Sequence, residues 1–111
     1  MISESDLGQI EECRAIASTW ASILRALANE ERLLIALWLA ESDCSVRELE
    51  QVTGMSQPLV SYHLRELRDA GLVASTAIGR SNRYRLANAD LDQLAGLVGR
   101  LRAPAAARRV S

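Results

Sequence analysis

The sequence predicts a mainly α-helical domain with one small β-hairpin, and three observations point to it. Apolar residues recur in steps of three and four over most of the chain. Gly54-Met55-Ser56 separates two short helix signals, and Gly79-Arg80-Ser81 divides two extended runs. The expected order is helix, helix, helix-turn-helix, hairpin, helix (α-α-α-α-β-β-α). With 111 residues there is room for one domain, expected over 1–102 with a flexible tail over 103–111.

The first helix is marked by Ile10, Cys13, Ile16, Ala17, Trp20, Ile23, Leu24, Leu27 and Ala28, one amphipathic face. Asn29 reads as the N-cap of the second, with Glu30 and Glu31 in the turn where the helix dipole favours anions. From Leu33 to Ala40 that helix is apolar all round, the pattern of a central helix buried on most faces. Ser45-Val46-Arg47-Glu48 has the form of a capping box and starts a third helix to about Thr53. Ser56 caps a fourth, in which Pro58 sits in the first turn, where an amide N–H has no intrahelical partner anyway. This helix is expected to run from Gln57 to Gly71. The runs 72–78 and 82–86 form the hairpin arms, and Asn88 caps a last helix carrying Leu91, Leu94, Ala95, Leu97, Val98 and Leu101.

The net charge of -1 conceals a segregation. Residues 1–50 hold ten acids against four arginines, whereas residues 56–85 hold Arg65, Arg68, Arg80, Arg83 and Arg85 against Glu66 and Asp69. Such a split suits a surface that meets a polyanion on one side only. No apolar stretch reaches the ~20 residues that span a bilayer, and residues 1–6 are too polar for a secretory leader. A cytoplasmic protein that does not meet a membrane is expected, with Cys13 and Cys44 as reduced thiols.

In projection the fourth helix turns Val60, Leu64, Leu67 and Ala70 inward. Ser56, Gln57, Ser61, Arg65 and Arg68, with Tyr62 beside them, make a face of hydrogen-bonding and cationic groups suited to base edges and phosphates. Gln57, Ser61 and Tyr62 are the candidates for base contact, Arg65 and Arg68 for phosphate. His63 reads as a duplex contact or as a hydrogen-bonded structural residue. In the hairpin, Arg80, Arg83 and Arg85 repel one another unless an anion lies between them, and a DNA backbone beside the helix supplies it.

Three strings resemble the ArsR/SmtB family of bacterial regulators. Residues 24–35 (LRALANEERLLI) are similar to the entry of that family's second helix. Residues 55–73 (MSQPLVSYHLRELRDAGLV) are similar to its recognition helix, and residues 79–86 (GRSNRYRL) to its wing. The resemblance implies a winged helix-turn-helix homodimer, paired through its first and last helices, that binds double-stranded DNA at a palindromic promoter site. It further implies a repressor released by an inducer.

The family's metal sites take cysteines at the entry of the third helix or Asp and His on the last helix. Here Asp90 and Asp92 have no His on their helix, and Cys44 is followed by Ser45 in place of a second thiol. Cys13 from one subunit and Cys44 from the other form a candidate half-site for a transition-metal or metalloid ion, completed by carboxylates or water. Against it, Cys13 lies on an apolar stripe, where a free cysteine serves as a small buried hydrophobe. Trp20 and Trp38 read as core or dimer packing. A thiol- or redox-responsive regulator of the same fold and a winged-helix protein–protein adaptor are the alternatives. One His and two distant cysteines supply no nucleophile–base pair, so an enzyme is not expected.

Overall fold

A computed structural model describes residues 2–87. The chain order is α1 (Glu4–Leu27), α2 (Glu30–Glu41), β1 (Cys44–Ser45), α3 (Val46–Thr53), α4 (Gln57–Asp69), β2 (Val73–Ile78) and β3 (Ser81–Leu86). The last helix and the tail expected from the sequence lie outside the described residues, as do Asp90 and Asp92.

Each helix begins where its capping chemistry starts it. In α1 the Ser3 hydroxyl accepts from the Asp6 amide at 3.1 Å and the Asp6 carboxylate accepts from the Ser3 amide at 3.2 Å. That closed capping box starts the helix six residues before the apolar stripe begins at Ile10. Asn29 caps α2 through its side-chain oxygen, which accepts from the Arg32 amide at 3.0 Å. Ser45 and Glu48 form the expected box at α3. Gly54 ends α3 at φ 75°, a left-handed conformation that a residue with a Cβ adopts only with strain. Ser56 then caps α4, which ends at Asp69, two residues before the expected Gly71.

The hairpin pairs Ile78 with Ser81, so its turn is the two residues Gly79-Arg80, one fewer than expected. Gly79 supplies the positive φ, 62°, that so tight a connection needs. A third strand not foreseen from the sequence completes an antiparallel sheet of order β1-β3-β2, with Cys44 opposite Tyr84 and Ser45 opposite Arg83. Two residues are too few for a period-two pattern to register.

One core unites these elements. Ile23 of α1, Ile35 and Leu39 of α2, Leu49 of α3, Val60, Leu64 and Leu67 of α4, and Leu72 with Val73 are buried together, with Cys44 among them. Tyr84 and Leu86 of β3 pack at its margin. The second helix departs from expectation. Only Ile35, Ala36 and Leu39 of α2 are buried, while Leu33, Leu34, Leu37 and Trp38 are 38–59% exposed. One chain's α1, α3, α4 and β3 cover one side of α2, and nothing among the described residues covers the exposed face of Leu33, Leu34, Leu37 and Trp38. Likewise, Ile23 is the buried residue of α1; Ile10, Ile16 and Leu24 stand in solvent.

Candidate nucleic-acid interface

The recognition surface is built on α4. Val60, Leu64 and Leu67 anchor it to the core at steps of three and four, which fixes the opposite face outward. Ser56, Gln57, Tyr62, Arg65 and Arg68 are exposed there and Ser61 is half-buried. The Gln57 amide nitrogen donates to the Ser61 hydroxyl at 2.8 Å, one turn along, so two of the base-contact candidates are already oriented by each other. Arg65 has no partner among the described residues and is free to meet a phosphate.

Sheet and helix share two concavities. Ser61, Leu64, Arg65 and Arg68 line a cleft of about 180 Å³ that Tyr84 closes from β3. Arg68 spans it: its guanidinium donates to the Ser75 hydroxyl of β2 and lies 5.9 Å from the centre of the Tyr84 ring. A wider hollow of about 530 Å³ runs between Gln57 at the start of α4, Arg47 and Glu50 of α3, and Ser81 and Asn82 beside the hairpin turn. The start of the helix and the tip of the hairpin therefore border one depression.

The three hairpin arginines, alike in sequence, differ in the structure. Arg83 donates to a Glu48 carboxylate oxygen at 2.7 Å and to the Asp43 carbonyl at 2.7 Å. It ties the hairpin to the capping box of α3. That guanidinium, with the Ser45 amide, holds the Glu48 carboxyl below its ordinary value, and Glu48 in turn raises Arg83. Arg85 donates to Thr76 across the hairpin at 2.8 Å. Arg80, at the turn, is exposed and has no partner among the described residues. Of the three arginines expected to meet DNA, Arg83 and Arg85 thus have protein partners and Arg80 has none among the described residues.

His63 lies apart from the exposed residues of α4. It is 2% exposed and lies on the inward face, so its side chain is not part of the outer surface. Its helical phase with Val60 and Leu67, three before and four after, was the signal that places it there. Its two ring nitrogens lie near Arg32 and Glu31 of α2.

The two cysteines lie in unlike settings. Cys13 is exposed on α1, contrary to its reading as a buried hydrophobe, because that stretch of α1 reaches past the core. Cys44 is buried and its thiol donates to the Ser42 carbonyl at 3.5 Å, the environment of a packed apolar group. No three His, Cys, Asp or Glu side chains among the described residues come together as a metal-binding group. Cys44 is a residue of β1, and its thiol packs into the core. Trp20 packs against the core, and Trp38 is 39% exposed. No described helix is long and apolar enough to cross a membrane.

Comparison with known proteins places this geometry. The model of the bacterial regulatory proteins of the arsR family matches residues 29–75, which run from the cap of α2 into β2. The transcriptional repressor SmtB of Mycobacterium tuberculosis is 44% identical over 75 residues, 68% of this chain and 56% of that repressor, so the match spans little more than half of it. The biofilm growth-associated repressor of Xylella fastidiosa is 36% identical over 84 residues, 76% of this chain and 74% of that protein. Among solved structures, a homodimeric winged helix-turn-helix DNA-binding domain from Mycobacterium bovis superposes with a TM-score of 0.66 at 34% identity, covering 78% of this chain and 80% of that one. With its recognition helix, its hairpin and these relatives, the chain is a winged helix-turn-helix member of the arsR family of bacterial regulatory proteins, a family of transcriptional regulators and not of enzymes.

Proposed function

We propose that the protein is a sequence-specific transcriptional repressor that binds a palindromic promoter site as a homodimer. The observation that carries this reading is the shared border of α4 and the hairpin turn. Gln57, Ser81 and Asn82 line one hollow, and Arg65 of α4 and Arg80 of the hairpin turn are unpaired among the described residues. A helix of this kind enters the major groove and presents its N-terminal residues to the bases, while the turn beside it meets the backbone. Gln57, Ser61 and Tyr62 read bases; Arg65, Arg68 and Arg80 hold phosphates; Arg83 and Arg85 set the angle of the wing.

The dimer is supported by the uncovered apolar faces of α1 and α2, which a single chain leaves in water. Pairing through the first and last helices would cover the face of α1. The names of the mycobacterial and Xylella relatives favour repression.

Binding to a duplex from upstream of its own coding sequence, measured at several salt concentrations, tests the reading. Affinity should fall steeply, with a log–log slope of about -0.9 per phosphate neutralised, and should exceed that for random duplex. A flat salt response, or equal affinity for random DNA, would favour the alternative of a protein–protein adaptor.

A further inference from the structure

The sequence contains one histidine, and the fold places it in the recognition helix, buried, where no phosphate or base can touch it. It is the only buried polar or charged residue among the described residues. A buried polar group of this kind is costly unless its hydrogen bonds are met. Both ring nitrogens face charged side chains of α2. Nδ1 lies 3.5 Å from a guanidinium nitrogen of Arg32, and Nε2 lies 3.4 Å from the Glu31 carboxylate.

Arginine has donors only, so Nδ1 must accept, and the ring proton then resides on Nε2 and is donated to Glu31. Pairing on both sides in this way uses one tautomer of the imidazole. Arg32 is itself fixed, since its Nε donates to the Ala26 carbonyl in the last turn of α1 at 2.6 Å. A polar chain therefore runs from the end of α1, through α2, to the inner side of α4. It joins the helices that carry the uncovered apolar face to the helix that carries the outer polar one. The ring also sits 5.2 Å, centre to centre, from Tyr62, a base-contact candidate on the adjacent position.

We infer that His63 is a positioning residue for DNA reading: the neutral ring, held between Arg32 and Glu31, sets α4 against the α1–α2 junction, and a proton on Nδ1 releases that hold. The inference rests on the DNA-binding reading. A protonated ring would aim an N–H at the Arg32 guanidinium, two donors and two cations face to face. The Glu31 contact survives protonation, so the ring stays buried and paired on one side while Arg32 is displaced. The groups facing the ring are Glu31 and Arg32 from α2 and Tyr62 on its own helix; α1 presents the Ala26 carbonyl to Arg32, and α3 and the hairpin present no titratable side chain in any contact with it.

Because no second histidine exists, comparison with substitutions at this one position reads out the imidazole. The experiment compares the full chain with the His63→Gln and His63→Leu variants on a duplex from upstream of its own coding sequence. Glutamine can accept from Arg32 and donate to Glu31 but cannot take up the proton. On acidification from neutral pH the unaltered protein should lose about tenfold in affinity, the equivalent of one hydrogen bond, while His63→Gln stays flat at the higher value. His63→Leu should be weak throughout, with far-UV circular dichroism confirming its helices. Nitrogen NMR of the ring at neutral pH should show Nε2 protonated and Nδ1 bare.

Specific binding with no pH response, an equal pH response in His63→Gln, or the opposite tautomer would each overturn the inference and leave the DNA reading standing. Absence of specific binding at any pH would overturn both.

Discussion

The two halves of the molecule differ in how far one chain completes them. The half built from α3, α4 and the sheet is largely closed: most of its large apolar side chains are buried, with Val52 and Ile78 the aliphatic exceptions, three of its arginines are bridged to Glu48, Thr76 and Ser75, and the outer face of α4 is mainly polar or cationic. The half built from α1 and α2 is open, with Ile16 44%, Leu24 50% and Leu37 59% exposed. A surface of the first kind is finished and waits for a charged ligand. A surface of the second kind is unfinished, because apolar area left in water is recovered only against another apolar surface. The difference sets a mainly polar and cationic surface apart from an apolar one within about ninety residues, and a single polar chain from Ala26 through Arg32 to His63 connects the two.

The sharpest way to break this comparison is a pair of apolar truncations. Leu67→Ala opens a cavity beneath the recognition helix and should cost about 3 kcal/mol of unfolding free energy, read from denaturant titration. Ile16→Ser, on the open half, should leave the secondary structure intact and shift the sedimentation equilibrium toward monomer. If Ile16→Ser unfolded the chain as Leu67→Ala does, the two halves would not differ as described.

Next in size is the contrast between two hairpin arginines. Arg80→Ala should weaken binding to every DNA sequence alike and reduce the magnitude of the log–log salt slope by about 1, as loss of one phosphate contact does. Arg83→Ala should leave that slope near its original value, because its guanidinium is engaged with Glu48 and the Asp43 carbonyl. Equal slopes for the two variants would return Arg83 to the phosphate contacts.

The smallest effect concerns acid. The Glu48 carboxyl is held below its ordinary value by Arg83 first and by the Ser45 amide second. A folded value below the unfolded one means stability that is fully present above the unfolded value, about pH 4.3, and lost as pH falls through the folded one. Thermal melts of the unaltered protein should therefore drop below that pH, with a shallower drop in Glu48→Gln. An identical acid profile in the variant would show that the bridge adds no stability.

Much of this was legible in the sequence because local chemistry wrote it there. Asn29, Ser45, Gly54 and Ser56 mark helix ends through their own side chains or φ, and the structure places those ends within a residue or two. Ser3 and Asp6 wrote the start of α1 too, in a polar stretch that the apolar stripe draws attention away from. The outward face of α4 followed from its inward one. What escaped were contacts between residues remote in sequence. The Arg83–Glu48 bridge spans 35 positions and depends on β1 pairing with β3, which two residues could not announce. The tie of His63 to Glu31 spans 32 positions, and although its inward phase was readable, its partners were not. The exposure of α2 escaped for another reason: an all-apolar helix shows that it must be covered, not by which chain.

The central claim is that α4 and the hairpin turn grip one duplex together, once per subunit of a dimer. Footprinting of the purified protein on DNA from upstream of its own coding sequence tests it most directly. The account predicts two protected half-sites of related, inverted sequence, their centres about 34 Å or one helical turn apart, both lost in Arg65→Ala combined with Arg80→Ala. Protection of a single unpaired stretch, or a footprint unchanged in that double variant, would contradict it.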